Sequence, residues 1–166
     1  MTLAELNALD DDDARRELMR CCGSGQWADR MTTRRPFRTL ADLQHAANDV
    51  WWSLERGDWL EAFSRHPRIG ERAIGWASQE QSGTFGAGRD TLDALIRGNE
   101  EYERRFGHVF LTFATGKSAE EMLTELTRRL TNDPALELRI AAAEQAKITH
   151  LRLEKLVEPS LQSSGT

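Results

Sequence analysis

Val109-Phe110-Leu111-Thr112-Phe113-Ala114 is the one run in this chain rich enough in β-branched and aromatic residues to make a strand. No second convincing run exists to pair with it. An unpaired strand leaves buried amides and carbonyls without partners, which a folded protein rarely tolerates. The chain is therefore expected to be all-α, with 109–114 as extended or irregular buried structure inside a helical fold.

Helix-start signals recur along the rest of the sequence. Thr2 with Glu5 makes a capping box for a short helix through Leu3, Leu6 and Leu9. The acidic run Asp10 to Asp13 suits the first turn of a second helix, carrying Ala14, Leu18, Cys21 and Cys22 and stopped by Gly23 and Gly25. Trp27, Met31 and Pro36 are expected in a connector, with the tryptophan plugging the core. Thr39 caps a helix whose apolar positions, Leu43, Ala46, Ala47, Val50, Trp51 and Leu54, follow the 3.6-residue period. Gly57 is read as a break, after which Asp58 and Glu61 open the segment Trp59 to Phe63. Glycines at 70, 75, 83, 86 and 88 predict short turns and loops that wrap a ligand. A helix with Leu92, Leu95, Ile96, Asn99, Tyr102 and Phe106 on one face then runs to Gly107. Ser118 with Glu121 caps the helix bearing Met122, Leu123, Leu126 and Leu130. Asp133 and Pro134 start a long last helix through Ile140, Ile148, Leu151 and Leu156. The expectation is one bundle of about seven to nine helices over 1–158, with a flexible tail at 159–166.

Composition narrows the partners. A net charge of −5 argues against nucleic-acid binding as the main role, and no apolar run approaches membrane-spanning length. Cys21 and Cys22 are adjacent without metal spacing, as free thiols in a reducing compartment would be. The first residues lack the basic start and apolar centre of a signal peptide, and the last three are not Ser-Lys-Leu. The cytoplasm is the expected location. Positive charge is almost all arginine, the lysines being Lys117, Lys147 and Lys155; arginine's planar fork suits carboxylates and ureido-like groups.

The chemistry concentrates at Ser64-Arg65-His66-Pro67-Arg68-Ile69-Gly70-Glu71 and Ser78-Gln79-Glu80-Gln81-Ser82-Gly83. A residue before proline is pushed out of the α region, so His66 should sit at a helix end with its ring outward. An imidazole, a carboxylate and an amide on irregular backbone can move a proton and orient a small polar substrate. On the last helix, Glu144, Ile148 and Arg152 are spaced four and four and share one stripe. Arg152 reads either as an arginine covering apolar surface or as an anion anchor.

Four features in this order, His66-Pro67, Glu80-Gln81, Arg105-Phe106-Gly107 and Ile148-Thr149-His150-Leu151-Arg152-Leu153, resemble the 2-oxo-4-hydroxy-4-carboxy-5-ureidoimidazoline (OHCU) decarboxylase family of uric acid degradation. The resemblance runs from Leu3 to Leu156. It implies an all-helical homodimer and a cofactor-free decarboxylation giving (S)-allantoin. Carried over by position, His66 resembles the catalytic histidine and Pro67 a substrate contact. Glu80 and Gln81 resemble the pair holding the substrate, Glu80 joining His66 in catalysis, with Ala77, Ser78 and Gln79 leading into them. Phe110, Leu111, Thr112, Phe113 and Ala114 resemble the segment whose backbone lines the pocket, and Arg152 the arginine at the substrate's polar edge. The chain departs from the family pattern at Ala77, where many members carry serine, and at Phe106-Gly107-His108-Val109-Phe110, where many read Phe-Gly-Phe-Pro-Phe.

Two other readings use the same residues. A metal-dependent hydrolase would need His66, Glu71 and Glu80 as ligands, although a zinc site usually has a close ligand pair at helical spacing and His45, His108 and His150 are scattered. A non-enzymatic interaction module would use the five tryptophans but leaves the His-Pro and Glu-Gln segments unexplained.

Overall fold

Helices begin in this chain where a side-chain oxygen can take an otherwise orphaned N–H. The computed structural model describes residues 1–70, 75–84 and 86–158. Among these, nine α-helices and one 3₁₀ turn make up the regular structure, and no strand occurs. The all-α expectation is met, and so is the irregular course of 109–114. The tail proposed for 159–166 lies outside the described residues, as does Glu71.

Contacts group the chain into two units, Met1–Asp58 with the residues from Ile148 onward, and Trp59–Lys147. The first unit opens with α1 (Leu3–Ala8), whose Thr2–Glu5 capping box is complete. Helix α2 (Asp11–Met19) has Asp10 as its N-cap, so the acidic run does fill the first turn. It ends at Met19, before Cys21 and Cys22, which are buried in the turn beyond it. The reason lies in the next few residues. The Ser24 hydroxyl accepts the Trp27 amide and starts α3 (Gly25–Thr33), so Gly25 opens a helix instead of closing one. Trp27 and Met31 are therefore helical, not in a connector, though both are fully buried as core residues. The Trp27 indole N–H donates to the Ala47 carbonyl at 3.1 Å, tying α3 to α4 (Leu40–Trp52), which Thr39 caps. Arg35 stitches the same unit, donating to the carbonyls of Leu6 and Leu9 at 2.9 and 2.7 Å.

Helix α5 (Arg56–Ser64) starts earlier than expected, with Gly57 inside it. The Asp58 carboxylate accepts the Glu55 amide at 3.2 Å, the reach-back of an acid in the first turn, so Asp58 lies within the helix and is not its cap. The second unit continues with α6 (Gly75–Glu80), the 3₁₀ turn Ser82–Thr84, α7 (Arg89–Phe106), α8 (Ala119–Arg129) and α9 (Pro134–Val157), whose last turns belong to the first unit. Gly107 closes α7 and Asp133 opens α9. Leu95, Tyr102, Phe110, Met122 and Leu126 form the core of this unit. Ile96, expected on the same face of α7, is half exposed. Of the five tryptophans, Trp27, Trp51 and Trp59 are buried, which leaves few for an interface.

Trp27→Phe should lower stability by about 1–3 kcal/mol, because it leaves a small void and removes the indole hydrogen bond. Urea unfolding followed by far-UV circular dichroism would measure this, with helix content unchanged in the absence of denaturant.

Candidate functional site

His66 follows α5 by two residues, its amide closing on the Phe63 carbonyl at 3.1 Å before Pro67 ends helical geometry. The ring is half-buried, and its Nε2 lies 2.6 Å from Oε1 of Gln145 on α9. Three residues later the Ile69–Gly70 peptide is held at both ends. The Asn99 side chain donates to the Ile69 carbonyl at 3.0 Å, and the Gly70 N–H donates to Oε1 of Gln81 at 3.1 Å. Gly70 has φ 90°, a left-handed conformation that side chains disfavour. The His-Pro turn and the Glu80-Gln81 segment are thus joined by one peptide unit.

Glu80 is the last residue of α6, and both it and Gln81 are buried. The turn after Gln81 packs backbone on backbone: a Cβ added to Gly83 would sit 1.8 Å from the Lys117 carbonyl oxygen. Glycine is the residue that permits this approach. Gln79 is exposed, and Pro67 is half-buried. The side chains of Ala77 and Ser78 lie outside the described residues.

The extended run 109–114 has its polar backbone met by charged side chains. Arg129 on α8 donates to the Leu111 carbonyl at 2.8 Å, and the Phe113 amide donates to Glu144 on α9 at 3.2 Å. The Thr112 hydroxyl lies 3.0 Å from both Glu125 oxygens and accepts from Lys117 at 2.8 Å. Lys117 also pairs with Glu125 at 2.7 Å and reaches Glu144 at 3.7 Å, while Lys147 pairs with Glu144 at 2.6 Å. Deeper in, Arg129 donates to Glu137 at 2.7 Å, and the Tyr102 hydroxyl donates to the same carboxylate at 2.5 Å. Phe110, Leu111, Thr112 and Ala114 are buried and Phe113 is half-buried. The Leu111 carbonyl and the Phe113 amide are thus taken internally.

Burial by itself raises the Glu144 carboxyl; the Lys147 hydrogen bond, the Phe113 amide and the charges of Lys147 and Lys117 outweigh it and hold the group below its ordinary value. Glu125 behaves alike, burial being outweighed by Lys117, Thr112 and Arg129. Burial, with the hydrogen bond to Glu137, pushes the Tyr102 phenol far up, so it stays a donor.

Arg152 belongs to the first unit, is partly sheltered, and has its guanidinium 3.4 Å from the Arg20 carbonyl. No group of three or more His, Cys, Asp or Glu side chains among the described residues is placed to hold a metal ion, and no helix among them is long and apolar enough to cross a membrane. The residues that sequence reasoning missed are supporting ones. Gln145 and Asn99 carry no local signature, since a glutamine or asparagine within a helix reads as ordinary polar surface. The scarcity of lysine was a usable clue, because two of the three lysines lie in this network.

An imidazole at a helix exit, a buried carboxylate–carboxamide pair and an internally satisfied extended segment define an all-helical protein built to hold a small polar molecule. The OHCU decarboxylase family model matches residues 7–154, and the chain belongs to that family. It is similar to the uric acid degradation bifunctional protein TTL of Arabidopsis thaliana, 39% identical over 82% of this chain but only 45% of that longer protein. It is also similar to the 2-oxo-4-hydroxy-4-carboxy-5-ureidoimidazoline decarboxylase of Haloferax volcanii, 27% identical over 92% of this chain and 94% of the relative. A crystal structure of OHCU decarboxylase in the presence of (S)-allantoin superposes with a TM-score of 0.79 at 38% identity, covering 90% of this chain and 99% of that one.

Lys117→Met should destabilise the fold by roughly 1–2 kcal/mol, since Glu125 loses its closest cation but keeps Arg129, and Glu144 keeps Lys147 and the Phe113 amide. Both carboxyls titrate below their ordinary 4.5 in the folded protein. Their stabilisation is therefore complete above that value and is lost as pH falls through the lower folded values. In the variant the folded values lie closer to the ordinary one, so the acid loss should be smaller and complete at higher pH. Stability measured in urea from pH 7 down to 3 would show the shift.

Proposed function

We propose that this chain decarboxylates OHCU to (S)-allantoin and CO₂ within uric acid degradation. The observation that carries this reading is the match over 99% of an OHCU decarboxylase chain crystallised in the presence of (S)-allantoin. The site supports it chemically. The bond from the carboxylated ring carbon to its carboxylate breaks, CO₂ leaves, and the electron pair moves toward the adjacent ring C=N. The substrate is its own electron sink, so the reaction as written calls for no cofactor. The hydroxyl on the same carbon then loses its proton as a carbonyl forms, and protonation at the neighbouring carbon sets the configuration. Overall one proton is taken up for each CO₂ released.

His66 is assigned to that proton traffic, imidazole being the side chain suited to both directions of transfer near neutrality. Glu80 is assigned to the substrate hydroxyl, with acceptor oxygens for the proton that leaves. Pro67, Ala77, Ser78, Gln79, Gln81 and the segment Phe110 to Ala114 are assigned to the pocket, and the Arg152 fork to the carbonyl and ureido oxygens. Residues 1–158 acting as one domain, a homodimer, and a cytoplasmic location complete the reading, supported by the family resemblance and by the buried thiols of Cys21 and Cys22, which form no disulfide.

His66→Asn should lower turnover of freshly generated OHCU by roughly 10²–10⁴-fold, as expected for loss of a positioned acid–base group, while the circular dichroism spectrum is kept. Following optically active allantoin checks it, and near-normal turnover in a folded variant would defeat the assignment.

Arg152→Lys keeps the charge but loses the planar fork. Its apparent substrate affinity should fall about ten- to a hundredfold, the equivalent of one charge-assisted hydrogen bond. Steady-state kinetics identical to the parent would leave Arg152 as a residue covering helix surface.

A further inference from the structure

We infer that Gln145 is the positioning residue that holds His66 in the tautomer carrying its proton on Nε2. The inference rests on the reading of His66 as the proton carrier, and it goes further by saying which nitrogen does the work. Gln145 is fully buried on α9, between Ala141 and Ala142 on one side and Ile148 and Thr149 on the other, all of them buried. The neighbouring Glu144 accepts the Phe113 amide, which ties the helix at this point to the extended run. The amide oxygen therefore meets Nε2 from a fixed position, at 2.6 Å.

A carboxamide oxygen only accepts, so its partner nitrogen must carry hydrogen. In the neutral ring Nδ1 then holds the lone pair and is the atom that takes up and returns a proton. When the ring is protonated, Nε2–H still donates to the same oxygen. The contact is thus made in both protonation states and adds no net charge that would favour one over the other. A carboxylate at this position would favour the imidazolium, and an apolar side chain would let the ring exchange tautomers and rotate. The reverse arrangement, with the amide N–H₂ donating to Nε2, predicts the opposite tautomer and can be told apart directly.

The test is long-range ¹H–¹⁵N correlation of the His66 ring in the labelled full-length protein, read above the pH at which the imidazolium becomes the neutral ring. The expected signature is hydrogen on Nε2. Hydrogen on Nδ1 in the unaltered protein overturns the proposal whatever the variants do. Gln145→Met keeps the volume and removes the acceptor. It should give mixed tautomers and lower kcat about ten- to a hundredfold with KM changed less than about threefold, a fraction of the full acid–base contribution. Gln145→Glu restores an acceptor and should restore hydrogen on Nε2. Unchanged tautomer and kcat in Gln145→Met also overturn the inference. The tautomer is measured without substrate, so this failure is distinct from that of the catalytic reading, which falls if His66→Asn turns over normally.

Discussion

The whole second unit turns on how it satisfies one extended segment that has no strand beside it. Residues 109–114 carry strand-like side chains into a helical core, and their polar backbone must find partners there. Arg129 supplies a donor to Leu111 and Glu144 an acceptor to Phe113. Those two side chains are charged and buried, so each needs a counter-charge of its own. Glu137, Glu125, Lys117 and Lys147 provide them, and the Thr112 hydroxyl sits among them. Backbone satisfaction and charge pairing are one problem here, solved by one network.

This arrangement explains what was legible in the sequence. Capping boxes and periodicity are local, and Thr2, Asp10, Thr39, Ser118 and Asp133 all start helices as their chemistry requires. The lone strand-like run was also readable, because the absence of a partner is visible along the chain. The misreadings came where one residue type serves two signals. Gly25 reads as a stop but follows Ser24, whose hydroxyl makes it a start. Asp58 reads as a cap but reaches back from inside the first turn.

The site divides the same way. The pre-proline histidine and the Glu80-Gln81 pair stand out because backbone restriction and polarity show locally. Their supports do not, since Asn99 lies 33 positions from His66 and Gln145 lies 79 away. A hydrogen bond across that separation is a property of helix packing, which no local pattern encodes. Gln81 shows the cost of reading by motif alone: half of its amide is committed to the Gly70 N–H.

The two supporting systems differ in kind. The extended segment is held by ion pairs, whereas the His66 ring and the Ile69–Gly70 peptide meet the carboxamides of Gln145, Asn99 and Gln81, with Arg68 of the same turn paired to Glu103. Ion pairs are strong enough to hold buried backbone, but their fields shift the protonation of nearby groups. Carboxamides fix geometry with full hydrogen bonds and no net charge. Glu144 and Gln145 are adjacent on α9, so their side chains leave the helix about 100° apart, one into the ionic network and the other onto the histidine. Glu144 is in turn paired with Lys147 and approached by Lys117. The helix thereby delivers a charged side chain to the segment that needs anchoring and a neutral one to the histidine ring.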